Sequence, residues 1–87
     1  MLIKFFLKNN LKDIKKGKDE DIQSYFLRIV EIKNDLLLIG EVSPDRELTF
    51  TTLGGFQPEW YVFRTTILNN DRIPGFEELM SRCIQEV

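Results

Sequence analysis

The sequence predicts an α+β fold: a helix, a four-stranded antiparallel meander and a second helix, in one domain covering residues 1–87. Three observations lead there. Residues 25–33 and 36–42 are apolar runs on either side of Asn34 and Asp35, the pattern of a β-hairpin. Residues 47–53 and 59–68 are rich in aromatic and β-branched types and follow turn-forming stretches, as strands do. The last segment repeats apolar residues at the spacing of one helix face.

The first element, within residues 1–18, reads as a basic helix over residues 2–16. Ile3, Leu7, Leu11 and Ile14 recur at helical spacing, with Phe6 beside them. Lys12, Lys15 and Lys16 fall in the last turns, where the helix dipole favours cations, and Gly17 follows as a natural stop. A strand over residues 2–7, ending at Asn9 and Asn10, is the competing reading. Residues 18–21 are polar and break the pattern.

The sheet is placed at residues 24–68. A two-residue turn at Asn34 and Asp35 sets Ile32 opposite Leu37, Val30 opposite Ile39 and Arg28 opposite Glu41. Val30, Ile32, Leu37 and Ile39 then face the core. Pro44 sits in the turn to the third strand, on which Leu48, Phe50 and Thr52 share a face. Gly54, Gly55, Phe56, Gln57 and Pro58 form a loop. On the fourth strand Tyr61, Phe63, Thr65 and Ile67 point inward, leaving Trp60 and Arg64 on the opposite face. After a loop at residues 69–75, Phe76, Leu79, Met80, Cys83, Ile84 and Val87 make the apolar stripe of a helix over residues 75–87. Glu77 and Glu78 suit its positive end.

Composition narrows the chemistry. The chain has 87 residues, no His and one Cys. The usual zinc sites, Ser-His-Asp and Cys-His catalysis and a disulfide framework are therefore excluded. Cys83, inside the apolar stripe, reads as a core residue. Asp19, Glu20 and Asp21 lack the spacing of a calcium loop, and Gly54-Gly55 lacks the flanks of a phosphate loop. No cofactor, metal site or catalytic set is expected. Lys4 and Lys8 interrupt the only apolar start, so neither a leader nor a membrane partner is expected, and a cytoplasmic location is.

Charge is polarised. Residues 1–18 hold six Lys and one Asp, a net +5; residues 19–87 hold six basic and thirteen acidic residues, a net −7. The expected function is a small non-enzymatic protein-binding protein with a basic protein partner. Examples are an immunity protein for a bacterial toxin or a phage-encoded inhibitor of a host enzyme. Its surface is Phe56, Gln57, Glu59, Trp60 and Arg64, a cluster of the residue types that dominate binding energy. The alternative is a nucleic-acid-binding domain acting through Lys4, Lys8, Lys12, Lys15 and Lys16. The α-β-β-β-α part of the element order is similar to that of the double-stranded-RNA-binding domain. Glu77 and Glu78 stand where that family carries basic residues, and this chain has a further strand. A third reading is a structural subunit or homo-oligomer joined through an open face.

Overall fold

A 3.6-residue apolar repeat divides the described residues into five α-helices. The computed structural model describes residues 2–69 and 72–86, and among them there is no strand. The helices are α1 (Leu2–Lys12), α2 (Ile22–Leu38), α3 (Asp45–Gly54), α4 (Tyr61–Leu68) and α5 (Phe76–Glu86). A single 3-10 turn, Pro58–Trp60, leads into α4.

The α+β class and the sheet at residues 24–68 are thus overturned, and the likeness in element order to an RNA-binding domain goes with them. The expected hairpin is the single helix α2. Its buried residues Ile22, Tyr25, Phe26, Ile29 and Leu36 lie on one helical face. Asp21 caps the start, its carboxylate accepting from the Ser24 N–H at 2.8 Å. Asn34 and Asp35 continue the helix on its exposed side. Aromatic and β-branched residues lose only about 0.7 kcal/mol each in a helix. Burying five large apolar side chains returns about 1.5–3 kcal/mol each, so packing decides. Of the four residues expected in the core here, Val30 and Ile32 are half-buried, while Leu37 and Ile39 are exposed.

The third expected strand is α3. Leu48, Thr49, Thr52 and Leu53 face inward with helical spacing, and Phe50 is left outside. The fourth is the 3-10 turn and α4. Pro58 starts the turn, where its missing N–H costs nothing. Ile67 is buried, Phe63 and Thr65 are half-buried, and Tyr61 faces outward. The first helix forms but ends at Lys12, four residues early. Ile14 is buried beyond its end, whereas Ile3 and Phe6 are exposed. In α5 the expected stripe is present: Phe76, Leu79 and Cys83 are buried, Met80 is half-buried and Ile84 lies at the margin. Val87 lies outside the described residues.

The core sits among α2, α3 and α5. Phe26 meets Phe76 at 5.5 Å between ring centres, and Tyr25 meets Phe56 at 5.7 Å. The Tyr25 hydroxyl donates to the Thr52 carbonyl at 2.8 Å, and Thr49 donates to the Pro74 carbonyl at 3.0 Å. Asp45, at the start of α3, accepts from the Phe76 N–H at the start of α5. α1 lies antiparallel beside α2, since Lys4 and Lys8 both reach Glu41, just past the end of α2. The extents are 39 × 31 × 18 Å.

Candidate protein-binding surfaces

The five residues expected to form a binding surface are unequally exposed and do not share one face. Phe56 is in the core. Trp60 stacks on it at 5.1 Å and 21°, and Phe63 closes edge-on against Trp60 at 5.6 Å. Trp60 is therefore half-buried, with its remaining surface in a cleft between α4 and α5 that Glu59 and Arg82 also line. Oriented to satisfy both neighbours, the Gln57 amide donates to Glu59 at 2.8 Å and accepts from the Lys18 N–H. Arg64 points elsewhere, its guanidinium 5.9 Å above the Tyr61 ring. Trp60 and Glu59 share a surface, Phe56 supports it from beneath, and Arg64 stands on a different side of α4.

The five lysines of the basic segment are also divided. Lys4 and Lys8 form ion pairs with Glu41 at 2.8 and 3.2 Å. These two hydrogen bonds hold the Glu41 carboxyl below its ordinary range. Lys12 and Lys15 are exposed, and Lys16 is half-buried in the following loop. That loop is fastened from two directions. The Lys16 N–H donates to the Gly55 carbonyl at 2.9 Å. Arg28 grips Glu20 through two nitrogens, each at 2.7 Å, and donates to the Lys15 carbonyl at 2.6 Å. The Arg28 hydrogen bond is the main reason the Glu20 carboxyl titrates below its ordinary value.

A third surface was not expected from the sequence. No residue of α1 is buried; Lys4, Leu7 and Leu11 are half-buried, Leu11 against the core. Leu2 is 90% exposed, and Ile3, Phe5 and Phe6 are each more than half exposed. The Glu41 ion pairs hold this end of α1 beside the end of α2, where Leu38 is 84% and Val42 75% exposed. Six large apolar side chains thus gather at one end of the molecule. The signal was legible in principle: five of residues 2–7 are apolar, and a helix lying on one neighbour buries a single stripe. The surplus has to face outward.

No helix among the described residues is long and apolar enough to cross a membrane. Comparison of the chain with family models, with curated proteins and with solved structures finds no match.

Proposed function

We propose that the chain is a non-enzymatic protein-binding domain that works as a structural subunit, its apolar end covered by a second copy of itself. One observation carries this reading: a helix with no buried residue that exposes Leu2, Ile3, Phe5 and Phe6. With Leu38 and Val42 the patch offers roughly 900 Å², taking about 200 Å² for each fully exposed side chain. The largest apolar patch of an ordinary monomer is ~300–600 Å², and a stable complex covers ~800 Å² on each partner. The size fits an interface between copies. Glu41 takes up the charge of Lys4 and Lys8, which reduces the repulsion between two copies meeting at this end.

The experiment is a concentration series by light scattering and sedimentation. The native chain is expected to pass from monomer to dimer or larger between low and high micromolar concentration. Phe6→Glu, an exposed substitution that leaves the fold intact by circular dichroism, is expected to remain monomeric. A native chain that stays monomeric throughout overturns the reading.

A further inference from the structure

A second recess lies away from the outer face of α1. It is a groove of about 690 Å³ between α1 and α3, floored by Leu11, Leu36 and Leu48. Leu36 and Leu48 are almost completely buried at its base, and its accessible apolar surface comes from Leu11, Val42 and Phe50. On the α1 side the rim carries Lys8 and Lys12, one helical turn apart; on the α3 side it carries Glu47. Glu41 closes one end, but its charge is already taken up by Lys4 and Lys8. Lys12 and Glu47 are both exposed and enter none of the ion pairs found among the described residues. Lys8 is likewise taken up by Glu41, so the groove has an apolar lining with Lys12 the charge left on its α1 wall and Glu47 the charge left on its α3 wall.

We infer that this groove docks an amphipathic helix of a protein partner, one whose apolar stripe is flanked by acidic residues on one side and basic residues on the other. The chemistry follows from the walls. Residues at i, i+3, i+4 and i+7 of a docked helix fill an apolar groove, and the flanking positions meet its rims. Acidic flanks face Lys12, basic flanks face Glu47, and the reverse pairing is repelled. Opposite walls also select the docking direction, because turning the helix end for end exchanges its flanks. The groove shares Val42 with the apolar end but uses none of Leu2, Ile3, Phe5 and Phe6, so the inference does not rest on self-association.

Three designed helical peptides test it, all with the same leucine stripe. One carries Glu on one flank and Lys on the other, the second Glu on both flanks, the third Lys on both. Binding is read by fluorescence anisotropy at low salt, with the protein as the Phe6→Glu variant to keep self-association out of the measurement. The mixed peptide is expected to bind at least roughly tenfold more tightly than either single-sign peptide. Glu47→Lys makes both walls basic and is expected to shift the preference to the all-Glu peptide. Lys12→Glu is expected to shift it to the all-Lys peptide. Equal binding of the three, an order unchanged by either wall substitution, or no binding of any peptide overturns the inference. Because the groove is read on a chain that cannot pair through Phe6, failure here leaves the self-association result standing, and the reverse holds too.

Discussion

Two close approaches fix how the core residues meet. Gly55 lies directly under the Tyr25 hydroxyl, and a Cβ there would also come within 2.6 Å of the Ile14 carbonyl oxygen. The Tyr25 ring is wholly buried, and its hydroxyl is committed to Thr52. Burial raises its ionisation well above the ordinary tyrosine value, so it stays a neutral donor. Gly55→Ala forces ring or backbone to move, and the expected loss is about 1–3 kcal/mol by urea denaturation. Tyr25→Phe removes only the donor, and the expected loss is about 1 kcal/mol. The ordering of the two variants is the check. Glu20 makes a different prediction. Its carboxyl titrates low in the folded chain, mainly because Arg28 binds the charged form. The folded state therefore takes up that proton later than the unfolded chain. The contribution is complete above the ordinary glutamate value of 4.5 and is lost as pH falls through the lower folded value. Stability measured from pH 7 downward should fall more gently on that limb for Glu20→Gln than for the native chain.

At the scale of the element, the ends of α2 explain both what the sequence revealed and what it concealed. Gly40 has φ of +84°, the left-handed conformation that closes a helix. Around it the Glu41 N–H returns to the Leu36 carbonyl at 2.9 Å, and the Gly40 N–H to Leu37 at 3.0 Å. Asp21 caps the other end. An Asp cap and a Gly stop bracketing seventeen residues were present to be read. The hairpin reading prevailed because the same residues also alternate acceptably as cross-strand pairs, and Asn34-Asp35 mimics a turn. Composition adds to the ambiguity in α2, where aromatic and β-branched residues are frequent and the chain offers no Ala. α5 escaped this ambiguity because its stripe runs over six apolar positions without a competing alternation. Gly40→Ala is expected to cost about 1 kcal/mol, since a side chain is disfavoured at that φ while open space surrounds it. Gly54→Ala, also in open space but without positive φ, should cost nothing measurable or stabilise slightly. Comparing their thermal midpoints separates conformation from crowding.

Across the whole molecule, the surface was less legible than the core. The aromatic run from Phe56 to Phe63 looks like a binding cluster in sequence, yet most of it completes the hydrophobic interior. Residue type alone cannot separate these cases, because both anchors and core positions favour large aromatics. The apolar tip was hidden for the opposite reason. Its residues look like an ordinary helix stripe until the fold is known and only Leu7 and Leu11 among the apolar ones prove half-buried. The lysines behave alike: a count of six in the first eighteen residues overstates the available charge, since Glu41 occupies two of them. Association through the tip predicts a thermal midpoint that rises with protein concentration, and one that does not rise in Phe6→Glu.

The shallow seating of α1 has a consequence for the order in which the molecule comes apart. Detaching it uncovers no wholly buried residue of its own, only half-buried side chains, two ion pairs and the face of α2 it covers, whereas releasing α2 or α5 dissolves the core. The free energy for opening α1 alone is therefore a small fraction of that for global unfolding. Its amides should exchange with deuterium first in a dilute sample. They should slow selectively when copies associate, while those of α2 and α5 hold a common rate set by complete unfolding.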